Sequence, residues 1–157
     1  MRIFRIADGR RTLWDGAGAA LLGGRWNSPG RPVIYGSLSY AGAMLEVLAH
    51  ARLGLLPETH RYVIAEVPGD VPLERHDADS LPAGWDAENS LTARAFGDCW
   101  LAEQRSAILL VPSVVARLEW NALVNPAHPD VAKIRCSKAE RVNWDRRLFG
   151  TAPPAGL

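Results

Sequence analysis

The chain has few cysteines and no long apolar run, and each shortage excludes a class of protein. Cys99 and Cys136 are its only cysteines, too few for a disulfide-stabilised scaffold and without the C-x-x-C spacing of a redox motif. The longest apolar run, residues 107–111, is far too short to cross a bilayer. The amino-terminal residues also lack the apolar stretch of a signal peptide. These absences predict a soluble domain in the reducing cytoplasm, without a membrane partner.

Excess charge of either sign is also absent. Lys and Arg number 18 against 17 Asp and Glu, a formal net charge of +1 at pH 7, which argues against a protein that coats nucleic acid or anionic lipid. Only Lys133 and Lys138 are lysines, and the other basic residues are arginines. Genomic base composition is one explanation of this bias. The other is that some arginines bind phosphate or carboxylate as forks, which lysine cannot imitate.

Several catalytic and ligand-binding signatures are missing as well. The chain has no G-x-S-x-G nucleophile elbow and no G-x-x-x-x-G-K-[ST] phosphate loop. Residues 16–21 approach a dinucleotide-binding fingerprint, but Leu21 stands where the third glycine belongs. The four histidines are scattered without a second ligand at metal-binding spacing, so the sequence predicts no metal site: His50, His60, His76 and His128.

What is present has the size and composition of one globular domain. The chain has 157 residues, of which 48% are apolar and 22% charged. We predict a single domain over residues 1–149 and a short C-terminal tail over 150–157. The hydrophobic pattern predicts an α+β fold in which strands outnumber helices. The predicted strands cover residues 2–6, 32–35, 61–67, 107–111 and 142–149.

Two helices complete this prediction. Ser37 or Ser39 caps the first, which runs to about Arg52 and is ended by Gly54 and Pro57. Ser90 caps the second, over residues 91–105. Residues 68–89 contain several prolines and are predicted to be irregular.

Two segments contain residues suited to binding and catalysis. Arg25 lies in the loop Gly24-Arg25-Trp26-Asn27, where glycine lets the backbone approach a ligand and the guanidinium can hold a phosphate or carboxylate. Tyr35 ends a predicted strand before the helix that carries Glu46. The small residues Gly42 and Ala43 lie beside Glu46 on this helix and leave a hollow for another helix or a ligand. The alternatives are a surface arginine and a Glu46–Arg ion pair that serves structure only.

A third segment joins them. Ser113 follows the predicted buried strand and is placed to orient another side chain by hydrogen bonding, or only to satisfy the strand end. The pair Asn125-Pro126 follows and marks a turn. No histidine is near Ser113 in sequence to make it a nucleophile.

The order and spacing of these segments resemble the RES domain, the toxin half of bacterial toxin–antitoxin pairs whose antitoxin is Xre-like. The resemblance extends over about residues 1–149. Its motifs are Gly24-Arg25-Trp26-Asn27, Val33-Ile34-Tyr35, Leu45-Glu46-Val47-Leu48, Val111-Pro112-Ser113-Val114-Val115, the Asn-Pro segment from Asn121 to Pro126, and Trp144-Asp145-Arg146-Arg147-Leu148.

The resemblance implies an ADP-ribosyltransferase-like fold, a split β core flanked by helices, and NAD+ as a substrate with no further cofactor. It places Arg25, Tyr35, Glu46 and Ser113 at active-site positions and adds Asn125 to the pocket. The implied activity is cleavage of the nicotinamide–ribose bond, with water, inorganic phosphate or a protein side chain as the acceptor. The implied partner is an Xre-like antitoxin that occludes the pocket and itself binds DNA, so that the toxin contacts no nucleic acid directly.

The residue types support this chemistry. Glu46 can stabilise positive charge on the ribose, Tyr35 can stack on nicotinamide, and Arg25 can hold the diphosphate or a ribose hydroxyl. Ser113 is predicted to orient Glu46 or Arg25. The alternative is a non-catalytic regulatory module that binds a nucleotide in the same pocket. The sequence leaves open the acceptor, any target protein, the antitoxin contacts and whether the chain forms a homo-oligomer.

Overall fold

The computed structural model describes residues 1–50 and 58–149. Within these ranges, eight strands form one sheet, which is accompanied by three α-helices. The strands are β1 (Arg2–Asp8), β2 (Ile34–Ser37), β3 (His60–Glu66), β4 (Leu73–Arg75), β5 (Ile108–Pro112), β6 (Trp120–Val124), β7 (Arg135–Cys136) and β8 (Glu140–Arg141). The helices are α1 (Ala17–Leu22), α2 (Tyr40–His50) and α3 (Leu91–Glu103), with 3-10 helices at Pro129–Lys133 and Arg146–Phe149. The predicted α+β class is confirmed, and the tail predicted over 150–157 lies outside the described residues.

The sheet opens between two of its central strands. The strand order is β4-β5-β6-β2-β1-β3-β7, with β8 paired to β3, and only β4 and β5 run parallel. Strand β1 pairs with β3 along its whole length, but it meets β2 at the single pair Phe4↔Ser37. Beyond that pair β1 and β2 separate, which produces the split β core that the resemblance implied.

Hydrophobic cores cover both faces of the sheet. Ile108 and Leu110 of β5 belong to one apolar cluster, whereas Leu109 and Val111 belong to another. Because successive strand side chains point to opposite faces, one cluster lies on each side. Strand β5 is buried along its whole length, as its apolar run predicts. The second cluster also contains three tryptophans: Trp26, Trp85 and Trp100.

Helix α2 begins where the sequence predicts. The Ser39 hydroxyl accepts a hydrogen bond from the Gly42 backbone N–H at 2.9 Å, which satisfies one of the free donors of the first turn. A Cβ atom at Gly42 would lie 2.4 Å from Ser37 Oγ. Glycine therefore lets α2 pack closely on the end of β2, which occupies the Gly42 side of the predicted hollow, whereas Ala43 borders an open cleft. The helix end predicted at Arg52 to Pro57 lies outside the described residues.

Two local predictions are wrong. Residues 142–149 do not form a strand, since strand pairing stops at Arg141 and residues 146–149 form a 3-10 helix. The Asp145 carboxylate accepts a hydrogen bond from the Arg147 backbone N–H at 2.9 Å, and this local bond favours a turn over extended backbone. Ser90 does not cap α3 by its side chain, because its backbone is left-handed (φ 57°) and its hydroxyl makes no capping bond.

The sequence analysis also missed one helix and four strands: α1, β4, β6, β7 and β8. Residues 68–89, predicted to be irregular, include the short strand β4, which pairs with β5. Helix α1 and strand β6 were not predicted. Each has six residues or fewer, so hydrophobic periodicity has little length over which to show itself.

Candidate active site

A cleft of about 730 Å³ opens beside strands β1 and β2. Its walls come from β1, β2, α1, α2, the loop after α1 and the start of β6. The lining residues include three that the sequence singled out: Arg25, Tyr35 and Glu46. The volume falls within the roughly 300–1,000 Å³ range of small-molecule sites. Tertiary structure therefore brings together residues from three separate segments in one ligand-sized space.

The Glu46 carboxylate is held by neutral donors on one of its two oxygens. Ser113 Oγ donates to Glu46 Oε1 at 2.7 Å, and Asn121 Nδ2 donates to the same oxygen at 2.7 Å. Among the described residues, no donor lies on Oε2 and no basic side chain forms an ion pair with the carboxylate. The structure thus lacks the purely structural Glu46–Arg ion pair over these residues. One oxygen is anchored, and the other is available to a ligand.

Ser113 is itself fixed by backbone contacts. Its side chain is buried, and its hydroxyl oxygen accepts hydrogen bonds from the backbone N–H groups of Val115 and Ala116, each at 3.1 Å. Because the oxygen is occupied as an acceptor, its single proton is left to donate to Glu46. Of the two contacts predicted for Ser113, the structure contains the one with Glu46.

The two asparagines of the predicted Asn-Pro segment lie at opposite ends of β6. Asn121 lines the cleft and contacts Glu46, although the sequence analysis assigned it no role. Asn125 is buried, its Oδ1 accepts from the Ala127 N–H at 3.1 Å, and it is absent from the cleft wall. At about 3.3 Å per strand residue, the two positions are about 13 Å apart. Residues four apart share one face of a regular strand, so periodicity does not distinguish the two asparagines, and only their positions along β6 separate them.

Tyr35 presents its ring rather than its hydroxyl. The phenol donates to Asn27 Oδ1 at 2.6 Å and accepts from the Trp26 backbone N–H at 3.1 Å. Burial raises the pKa of Tyr35 above its ordinary value, so the hydroxyl stays protonated near neutral pH. Both hydrogen-bonding functions of the hydroxyl are engaged inside the protein. The aromatic face is therefore the part of Tyr35 that a ligand in the cleft can contact.

The loop Gly24-Arg25-Trp26-Asn27 is shaped around this phenol. A Cβ atom at Gly24 would lie 2.6 Å from Tyr35 Oη, so only glycine leaves room for the tyrosine. Asn27 is fully buried, and its Nδ2 donates to the backbone carbonyls of Ala19 at 2.9 Å and Arg31 at 2.8 Å. The sequence predicted that Gly24 would bring the backbone close to a ligand. In the structure Gly24 adjoins the Tyr35 side chain and also lines the cleft.

Arg25 is anchored at one nitrogen and free at the others. Its Nη1 donates to the Ala87 carbonyl at 2.8 Å and more weakly to the Trp85 carbonyl at 3.4 Å. Within residues 1–50 and 58–149, its Nε and Nη2 have no partner and it forms no ion pair. A half-buried guanidinium with free donors in a cleft is suited to an anionic group such as a phosphate.

Arg5 is a cleft residue that the sequence analysis missed. Its side chain spans the opening between β1 and β2, where Nη1 donates to the Tyr35 carbonyl at 2.6 Å and Nε donates to the Leu13 carbonyl. Burial lowers the pKa of Arg5 from its ordinary value. The available signal was an arginine on the same strand face as the fully buried Ile3, where an apolar residue is expected.

Two histidines also reach the cleft, His50 and His60. The Nδ1 atom of His50 lies 2.7 Å from the Glu46 backbone carbonyl. Burial lowers the pKa of His60, which favours its neutral form. Neither histidine contacts the Glu46 carboxylate, so they form part of the wall rather than an acid–base pair with it.

Two features are absent from the residues that the structure describes. No cluster of three or more His, Cys, Asp or Glu side chains able to hold a metal ion occurs within residues 1–50 and 58–149. Over the part of the chain that the structure describes, no helix is both long enough and apolar enough to span a membrane.

Comparison with known proteins identifies the family. The model of the RES domain matches residues 2–145. The chain belongs to the RES domain family. Among its RES relatives, the "Prs ADP-ribosylating toxin" of Sphingobium sp. (strain YBL2) is 41% identical over 156 residues, which cover 95% of this chain and 97% of that protein. The "Toxin Res" of Pseudomonas putida is 36% identical over 137 residues, 86% of this chain and 92% of that protein.

A solved structure supports the fold. A chain in the crystal structure of the M. tuberculosis MbcT–MbcA toxin–antitoxin complex superposes with a TM-score of 0.75 at 19% identity, covering 94% of this chain and 86% of that one. At this identity the likeness concerns the fold alone. The resemblance to the RES domain and the expected ADP-ribosyltransferase-like fold are both confirmed.

Proposed function

We propose that this chain is the toxin of a toxin–antitoxin pair and that it consumes NAD+ by cleaving the nicotinamide–ribose bond. The observation that carries the proposal is the Glu46 carboxylate at the wall of the cleft, with Oε1 anchored and Oε2 free, beside Tyr35 and Arg25. The names of the relatives support it, since one is an ADP-ribosylating toxin and another a Res toxin.

Glu46 acts on the ribose in this proposal. When the C–N glycosidic bond breaks, its electron pair moves to the pyridinium nitrogen, and neutral nicotinamide leaves without needing a proton. Positive charge then develops on the ribose, as in glycoside hydrolysis. A fixed carboxylate oxygen close to that charge stabilises the transition state more than the ground state. The free Oε2 of Glu46 is suited to this task.

Tyr35 and Arg25 bind the two sides of the reacting bond. The ring of Tyr35 stacks on nicotinamide and keeps the leaving group in the orientation that dissociates. The free nitrogens of Arg25 bind the diphosphate or a ribose hydroxyl. Ser113 touches no substrate and acts through Glu46. NAD+ is a substrate here, and the proposal requires no further cofactor.

The acceptor completes the reaction by forming a bond to the anomeric carbon of the ribose. Water yields ADP-ribose, inorganic phosphate yields a phosphorylated ADP-ribose, and a protein side chain yields an ADP-ribosylated protein. Because nicotinamide leaves without a proton, the proton of an attacking water or side-chain group is released to the solvent. The relative named as an ADP-ribosylating toxin favours the third acceptor. The other two remain outcomes of the test.

An antitoxin is the proposed protein partner. A structurally similar chain is part of a toxin–antitoxin complex, and by resemblance the partner is Xre-like and covers the cleft. The net charge of +1 fits a toxin that leaves DNA binding to that partner.

The test is product analysis after incubation of the purified chain with NAD+. The first reaction contains buffer only, so that water is the acceptor. The second contains inorganic phosphate, and the third contains a bacterial lysate with isotope-labelled NAD+. Free nicotinamide in any of them supports the proposal, and the companion product identifies the acceptor. Intact NAD+ with saturable binding favours a regulatory nucleotide-binding module instead. Intact NAD+ without binding excludes both.

A further inference from the structure

Asn121 donates from a separate strand to Oε1, the anchored oxygen of the Glu46 carboxylate. We infer that Asn121 is a positioning residue for Glu46, which together with Ser113 fixes Oε1 so that Oε2 faces the substrate. The inference rests on the proposed function, because it explains how this carboxylate is prepared for the reaction. Nothing in the motifs of the sequence assigned this role to Asn121.

The contact comes from rigid elements. Asn121 is the second residue of β6 and pairs with Ser37 of β2 on one side and with Val111 of β5 on the other. Its backbone is therefore fixed from both edges. Ser113 follows β5, so the two donors stand at either end of the β5–β6 connection and hold one oxygen of a residue on α2. A carboxylate held at two points on one oxygen loses rotational freedom about its terminal torsion.

The orientation of the Asn121 amide follows from charge. An ionised carboxylate oxygen can only accept hydrogen bonds, so the Nδ2 donor must face Glu46 and Oδ1 must point away. In this orientation Oδ1 is buried without a hydrogen-bond partner among the described residues. An unpaired buried oxygen costs stability. The contact with Glu46 is the side-chain hydrogen bond that the Asn121 amide makes among the described residues, and it offsets this cost.

Two variants of Asn121 and one control test the inference. Asn121→Ala removes the donor, and Asn121→Asp keeps nearly the same shape but places a carboxylate against Glu46 Oε1. Asn143→Asp adds the same charge at an exposed position outside the cleft wall. Steady-state nicotinamide release gives kcat and KM for NAD+, and circular dichroism confirms that each variant is folded.

The expected result is a loss in kcat without a matching rise in KM. Removal of a group that orients a functional ligand typically lowers activity about 10–100-fold, so we expect kcat of Asn121→Ala to fall in that range. KM should stay within about threefold, because Asn121 acts through Glu46 rather than on NAD+. Asn121→Asp should be at least as impaired as Asn121→Ala, whereas Asn143→Asp should behave as the wild type. A kcat near the wild-type value in both Asn121 variants, or a loss confined to KM, would overturn the inference.

A second measurement separates this inference from the proposed function. The free energy of unfolding is determined for Glu46→Ala, Asn121→Ala and the double variant by chemical denaturation. Coupling between the two sites appears as a double loss smaller than the sum of the single losses. If the wild type leaves NAD+ intact, the proposed function fails, and additive losses in this cycle would overturn the positioning role as well. If NAD+ stays intact but the two losses are coupled, the positioning role of Asn121 stands. The ligand toward which it orients Glu46 is then a molecule other than NAD+.

Discussion

Glu46→Gln is the substitution that most directly tests the chemistry. The glutamine side chain has the same shape, and its amide oxygen can accept from Ser113 and Asn121 in place of Glu46 Oε1. Its amide nitrogen then takes the place of Oε2 in the cleft. The substitution therefore removes the negative charge and leaves the packing in place, so the variant should fold.

The size of the effect follows from Coulomb's law. A carboxylate oxygen about 4 Å from the developing positive charge contributes about 4 kcal/mol at an effective dielectric constant of about 20, a value suited to a half-buried site. Since about 1.4 kcal/mol corresponds to a tenfold change in rate, kcat/KM should fall about 10³-fold. The pyridinium nitrogen is bonded to the same ribose carbon, so Glu46 also attracts the cation in the ground state. Part of the loss should therefore appear as a rise in KM for NAD+, and the 10³-fold figure is the loss in kcat/KM and the upper limit for kcat.

The assay is nicotinamide release with and without inorganic phosphate, with thermal unfolding as a check of the fold. Glu119→Gln is the matched control. Glu119 also receives a hydroxyl bond, from Ser39 at 2.6 Å, but it is not part of the cleft wall, and its variant should retain activity. If folded Glu46→Gln keeps more than about a tenth of wild-type kcat/KM, the carboxylate charge does not drive bond cleavage and the reasoning fails.

Substitutions at four further positions examine the rest of the site. Arg25→Ala should lower kcat/KM for NAD+ about 10–100-fold, because a charged hydrogen bond contributes about 1.5–3 kcal/mol. Arg25→Lys should recover only part of this loss, and full recovery would show that the forked geometry of the guanidinium is not used. Tyr35→Phe should lower the free energy of unfolding by about 1–3 kcal/mol, since the Trp26 N–H and Asn27 Oδ1 lose their buried partner. KM for NAD+ should stay near the wild-type value because the ring remains, and a large rise in KM would assign the hydroxyl to substrate binding. Ser113→Ala should lower kcat about tenfold or more, and it should also destabilise the loop at Val115 and Ala116, whose N–H groups bond the serine oxygen. An unchanged kcat would show that the Asn121 contact alone is enough to hold Glu46. Asn125→Ala should reduce the unfolding midpoint in urea without changing KM for NAD+, because the residue lies away from the cleft, and a raised KM would return it to the binding site.

The site residues were easier to predict than their arrangement. Arg25, Tyr35, Glu46 and Ser113 stand in short motifs whose order along the chain carries the resemblance to the RES domain. Local chemistry also predicted that a carboxylate between apolar residues needs a partner. The identity of that partner depended on strand register, because β6 must pair with β2 and β5 before Asn121 reaches Glu46. The resemblance placed Asn125 in the pocket, yet Asn125 follows the far end of β6 and is absent from the cleft wall.

The incorrect local predictions have a similar cause. The apolar pattern of residues 142–149 favours a strand, but the Asp145 carboxylate bonds the Arg147 backbone and the chain turns. Arg5 lies on the same strand face as the buried Ile3, where the pattern favours an apolar residue. In the structure it spans the opening between two strands and bonds the Tyr35 carbonyl, because β1 and β2 separate there and leave that carbonyl without a backbone partner.

By itself, the sequence determined the α+β class, the buried strand β5, the start of α2 at its serine cap and the residue types available for chemistry. These depend on contacts within a few residues, which composition and spacing encode directly. Only the tertiary structure decided which donors hold Glu46, which side of Tyr35 a ligand meets and which asparagine belongs to the cleft. Those contacts join residues far apart in the chain, and they form only when strands pair in one register and a helix packs closely enough to bring its carboxylate within reach.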